Sequence, residues 1–217
     1  MMKFKSWVLG IGLLISNVAF SQTVQDGFRF LDRHQPSRAK QVFDGLVASA
    51  PTGENYFNLG LYYLHLRDWD NAKTSFEKGK AADPKNYLNP VGLASILVGQ
   101  NNVSAAKVEF DKIIADTKSK NIDVLYRIAE AYSMYYILGK EESFNANNND
   151  PGEAIRLIDV IQERMLKDKK LPAPEHYIVK GDAFLIKNDG GNAVTAYEAA
   201  IAQDPRNVKA KVKIGTV

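Results

Sequence analysis

The sequence predicts an all-α solenoid built from antiparallel helix pairs. Three observations predict it. Landmark residues recur at a spacing of 34: Gly60 and Ala94, Ala72 and Ala106, Phe76 and Phe110, and later Gly181 and Gly215. Within the clearest copy, Tyr56, Leu59, Gly60 and Tyr63 fall on one helical face by the three-and-four rule. Prolines at 84 and 205 then close a copy, because proline cannot donate within a helix and its ring clashes with the preceding turn. A fixed period of this length marks a stacked repeat architecture rather than a single closed core.

Residues 1–21 stand apart from the repeats. Lys3 and Lys5 precede an apolar run, Trp7 to Ile15, and Ala19-Phe20-Ser21 places small residues at the −3 and −1 positions. This is the pattern of a cleavable signal peptide, with cleavage before Gln22. The run is too short to span a bilayer, which takes roughly 20 apolar residues. The chain has no cysteine, so this signal cannot be of the lipid-anchored type and disulfides cannot staple the fold. The expected product is periplasmic or secreted, with no direct membrane insertion after cleavage. Losing Lys3 and Lys5 takes the net charge from +3 to +1. A near-neutral product argues against nucleic acid as a partner, which favours a concentrated basic face.

Residues 22–52 read as a degenerate first copy, with Gly27, Phe30, Ala39, Phe43 and Pro51 in step and a shortened first helix. Residues 53–86 are the best copy. Its second helix carries Ala72, Phe76 and Gly79 before Asp83-Pro84, and Asp68-Trp69-Asp70-Asn71 reads as the turn. Gly60 and Ala72 are small where two helices must approach closely. Residues 87–120 keep Ala94, Ala106 and Phe110, with Lys118 in place of the closing proline.

Residues 121–173 keep Ala129 and Ala154 but hold them 25 residues apart, against 12 from Gly60 to Ala72. Thirteen residues are inserted, forming a loop at about 139–151 after a tyrosine-rich extension of the first helix. The asparagine run there lacks the alternating acidic spacing of a Ca²⁺ loop. A solvated loop and a protruding recognition loop both fit it. Asp150-Pro151-Gly152-Glu153 reads as a helix start. Residues 174–207 form another good copy with Gly181, Ala193, Tyr197 and Pro205; Lys180 replaces the usual Leu, and Gly190-Gly191 reads as its turn. Residues 208–217 open a further copy whose partner helix does not follow, which suggests a piece of a longer array.

The order Tyr56-x2-Leu59-Gly60-x2-Tyr63, Ala72-x3-Phe76, Pro84 resembles the tetratricopeptide repeat, and the likeness runs over residues 24–217. The chain resembles an exported bacterial protein of that family. The resemblance implies a right-handed superhelical solenoid whose first helices line a concave groove. By its register the inward positions include Phe57, Leu61 and Leu64, then Val91, then Tyr126 and Glu130, then Ile178 and Asp182. Glu54, Leu88, Ser95, Val98, Asp123, Ser133, Glu175 and Leu185 complete the rows. This surface is apolar and aromatic early and acidic later. Family members that grip a terminal carboxylate do so with Lys and Asn on these helices. Here the positions hold Phe57, Leu61, Tyr126 and Glu130, so that clamp is absent.

Catalytic chemistry finds little support. His34, His65 and His176 lie in different copies without ligand spacing. No glycine-rich phosphate loop and no thiol are present, and no serine has an evident base. The expectation is a non-catalytic protein-interaction scaffold of the cell envelope without cofactor or metal, binding a protein or peptide with apolar anchors and some basic residues. Two alternatives stand beside it: the periplasmic sensor region of a signalling protein, and an array presenting a further glycan-binding, peptidoglycan-binding or catalytic domain.

Overall fold

A computed structural model describes residues 22–133 and 150–217. The expected signal peptide, the tyrosine-rich extension beyond Ser133 and nearly all of the expected inserted loop lie outside the described residues. Every regular element within them is a helix: α1 (Val24–Asp32), α2 (Pro36–Ser49), α3 (Gly53–His65), α4 (Trp69–Ala82), α5 (Leu88–Gly99), α6 (Val103–Asp116), α7 (Ile122–Tyr132), α8 (Pro151–Lys167), α9 (Pro174–Ile186), α10 (Gly190–Gln203) and α11 (Val208–Ile214). They form a right-handed superhelical solenoid of antiparallel pairs. The odd-numbered helices from α1 to α9 also pack side by side, each against the next odd one.

The turn inside a pair is repeated closely. His34, Arg67, Asn101 and Asn188 each take a left-handed φ, between 55° and 63°. The residue after each sends its N–H back five positions, as in Asp68 to the Tyr63 carbonyl at 2.9 Å and Asp189 to the Phe184 carbonyl at 2.9 Å. In three of the four pairs that residue then caps the second helix: Asp68, Asn102 and Asp189 accept from the backbone N–H three positions on. This corrects two expectations. Trp69-Asp70-Asn71 and Gly190-Gly191 are not turns but the first residues of α4 and α10, because the caps ahead of them satisfy the helix N-terminus at once. Asp150 caps α8 in the same way and Pro151 opens it, so these two residues belong to the helix start and not to a loop.

In three of the pairs, α1 with α2, α3 with α4 and α9 with α10, packing runs through an aromatic ring set on a glycine. A Cβ added to Gly27 would stand 2.5 Å from the Phe43 ring, one on Gly60 2.3 Å from Phe76, and one on Gly181 2.4 Å from Tyr197. Phe76 does this twice, since a Cβ on Gly92 of α5 would stand 2.4 Å from the same ring. Phe76, Phe110 and Tyr197 are fully buried, as are Ala72, Ala106, Ala129, Ala154 and Ala193, while Ala94 is 2% exposed. Pro84 and Pro205 are exposed just beyond the ends of α4 and α10. Asn89 ties the start of α5 to the preceding pair: its Nδ2 donates to the Gly53 carbonyl at 2.9 Å, and it lies against Gly79, where a Cβ would meet it at 2.1 Å. Lys180 is explained by α8, because its Nζ reaches Asp159 at 2.5 Å.

Candidate binding cavity

The first helices of the pairs enclose a cavity of about 600 Å³. Its wall is drawn from α1, α3, α5, α7, α9 and α11 and from Ser133 just past α7, with nothing from α2, α4, α6, α8 or α10. Phe57, Leu61, Leu64, Val91, Tyr126, Glu130, Ile178 and Asp182 all line it. They differ in how much they offer. Phe57, Leu64, Val91 and Ile178 are at most 4% exposed and form the packed floor, since the same side chains fill the contacts between neighbouring helices. Leu61, Tyr126 and Glu130 are half-buried and present usable surface. Of the other positions in those rows, Ser95, Ser133 and Glu175 line the cavity, whereas Glu54, Leu88, Val98, Asp123 and Leu185 do not.

Asp182 departs from its expected part as an open acidic contact. It is 1% exposed and already occupied. Lys213 on α11 reaches its Oδ1 at 2.5 Å, and the Tyr197 hydroxyl donates to the same oxygen at 2.6 Å. Burial pushes the Asp182 carboxyl up and the Lys213 ammonium down from their ordinary values. The acidic reading of the far end is also offset there, because Arg127 and Lys209 share the wall with Glu130, Glu175 and Asp182.

On α7 three side chains form one connected group. Arg127 Nη1 donates to Glu130 Oε2 at 2.7 Å, and the Tyr126 hydroxyl donates to Glu130 Oε1 at 3.3 Å. The Arg127 guanidinium lies 5.2 Å from the Tyr126 ring centre and 5.5 Å from that of Phe57. Behind Tyr126 stands His176, ring centres 5.3 Å apart. Burial, and then the nearby Glu130 carboxylate, push the Tyr126 phenol well above its ordinary value. Burial lowers His65, a further wall residue.

Sequence reasoning missed the contribution of α1, whose Val24, Gln25, Phe28, Arg29, Leu31 and Asp32 line the same cavity. The signal was present: Val24, Phe28 and Leu31 stand to Gly27 as Phe57, Leu61 and Leu64 stand to Gly60. Lys209 and Lys213 gave no comparable sign. Among the described residues no group of three or more His, Asp or Glu is placed to hold a metal. No described helix is long and apolar enough to cross a membrane.

Comparison with known proteins agrees with this architecture. The family model described as tetratricopeptide repeat matches residues 53–86. A solved tetratricopeptide repeat protein from Parabacteroides merdae superposes with a TM-score of 0.58 at 16% identity, covering 88% of this chain and 68% of that one. The chain has the tetratricopeptide-repeat fold. A thermophilic tetratricopeptide protein from Thermus thermophilus also matches with a TM-score of 0.58 at 14% identity, covering 89% of this chain and 95% of that one. By sequence, Tetratricopeptide repeat protein 1 of Schizosaccharomyces pombe is 30% identical over 81 residues. That match covers 37% of this chain and only 8% of the yeast protein. Proteins of this fold typically mediate protein–protein interaction and are generally non-catalytic scaffolds.

Proposed function

We propose that this chain is a non-catalytic interaction scaffold of the cell envelope that binds a peptide or peptide-like segment of another protein in its concave cavity. One observation carries the reading: a single cavity is walled by the first helices of every pair. The volume of about 600 Å³ lies in the range of sites that bind small ligands, and suits a few side chains of a segment rather than a whole domain. Val24, Phe28, Leu31, Phe57 and Leu61 give the α1 and α3 wall apolar surface beside Arg29, Asp32 and His65, which suits apolar anchors. Glu130 and Glu175, with Arg127 and Lys209, make the far end charged, which fixes direction more than it adds affinity.

The envelope setting rests on the signal-like residues 1–21. An array serving as the periplasmic sensor region of a signalling protein, or presenting a further domain, would use the same cavity.

Selection of a peptide display library on the purified chain tests the reading. Enrichment of peptides with apolar anchors is expected. Leu61→Glu puts a charge into the apolar surface at a half-buried position, so it should weaken the selected peptides at least about tenfold while the melting temperature holds. Selected peptides that bind Leu61→Glu as well as the parent chain would place binding elsewhere.

A further inference from the structure

Arg127 gives the cavity a feature that apolar anchoring does not explain. Its guanidinium faces two aromatic rings, Phe57 from α3 and Tyr126 from its own helix, at 5.5 and 5.2 Å. Glu130 holds it at 2.7 Å, and the Tyr126 hydroxyl steadies the same carboxylate. Two ring faces and a fixed carboxylate are the groups that hold an arginine side chain, because the planar cation stacks on the rings and donates to the acid. Here the arginine is the chain's own.

We propose that Phe57, Tyr126 and Glu130 form a guanidinium-binding cage, and that an arginine of the bound segment displaces Arg127 from it. This rests on the cavity being a peptide site. Arg127 and Glu130 are three positions apart on one helix, with side chains 27% and 40% exposed. An ion pair at this spacing on one helix favours its closed state by less than about fivefold. Arg127 is therefore a weak competitor, held by its own helix and free to swing toward solvent. The cage walls stay when it leaves: Phe57 is 2% exposed and packs on Phe76 with ring centres 5.8 Å apart. An arginine fits this cage better than a lysine, whose compact ammonium has no plane to lay on two rings. Self-occupancy makes the cage a filter. A segment with apolar anchors alone leaves Arg127 in place, whereas one with a matching arginine gains the cage as well.

The test uses the full chain and two small probes, N-acetyl-argininamide and the neutral, nearly isosteric N-acetyl-citrullinamide, titrated by NMR. Arg127→Ala should bind the arginine probe about two- to sixfold more tightly than the parent chain does, the most that removing so weak a competitor can give, and at least about tenfold more tightly than it binds the citrulline probe. Adding Glu130→Gln should abolish that preference. Should Arg127→Ala fail to fold, Arg127→Gln keeps most of the stem and carries the same expectation. No gain over the parent chain, or equal binding of the two probes, overturns the cage and leaves Arg127 as a strut between α3 and α7. That failure is distinct from failure of the cavity reading, which the display selection and Leu61→Glu report with Arg127 intact.

Discussion

Phe76→Ala is expected to lower the stability of the chain by about 3–5 kcal/mol, read as a loss of denaturant midpoint with little change in slope. The ring is fully buried and is shared by three helices. It belongs to α4, rests on Gly60 of α3 and on Gly92 of α5, and meets Phe57 with ring centres 5.8 Å apart. Removing it leaves a void that Gly60 and Gly92 opposite cannot fill, because they carry no side chain to move in. Nor can a larger residue at Gly60 compensate cheaply while the ring is present. Its Cβ would stand 2.3 Å from the ring edge, and Phe76 is itself boxed in by α5. The effect should spread along the solenoid, since each pair is stabilised mainly by its neighbours.

Asp182→Ala is expected to have the second largest effect, of a different kind. It leaves the Lys213 ammonium, 6% exposed as a residue, without the carboxylate that it meets at 2.5 Å. Breaking a buried pair from one side typically costs about 3–5 kcal/mol. Here α11 supplies a cheaper way out. It is seven residues long and packs mainly against α10, so it can detach and let Lys213 reach water. The expected result is loss of amide exchange protection in α11, with α3, α4 and α5 unchanged. Replacing both partners together, Asp182→Leu with Lys213→Met, should restore much of that protection, because an apolar pair of similar volume removes the buried charge. Protection in α11 that survives Asp182→Ala intact would show that Ala210 and Ile214 hold the helix alone.

Much of this fold is legible in the sequence because the repeat fixes small residues where backbones must meet. Gly60, Ala72 and Gly181 could be read as close-approach sites because an aromatic residue follows each glycine at a constant distance. The turns were harder. Arg67, Asn101 and Asn188 adopt a left-handed backbone without being glycine, and the visible glycines at 190 and 191 instead open a helix. What marks those helix starts is the capping Asp ahead of them, a signal read correctly at Asp150 and missed at Asp68 and Asp189.

The cavity was legible by row and not by exposure. Register places Phe57, Val91 and Ile178 on the concave side, and there they line the cavity. Register cannot say that neighbouring helices bury nearly all of each side chain. Asp182 shows the same limit for charge. Its carboxylate is claimed by Lys213, 31 positions away on another helix, and such a pairing depends on the pitch of the superhelix rather than on its period.

In the proposed function a partner binds on the surface formed by the first helices. Amide hydrogen exchange of the full chain, with and without a peptide selected on it, tests this most directly. The predicted result is slowed exchange in α1, α3, α7 and α9 around Phe28, Leu61, Tyr126 and Ile178, with α4, α6, α8 and α10 unchanged. Protection confined to those second helices, with the cavity helices unaffected, would contradict it.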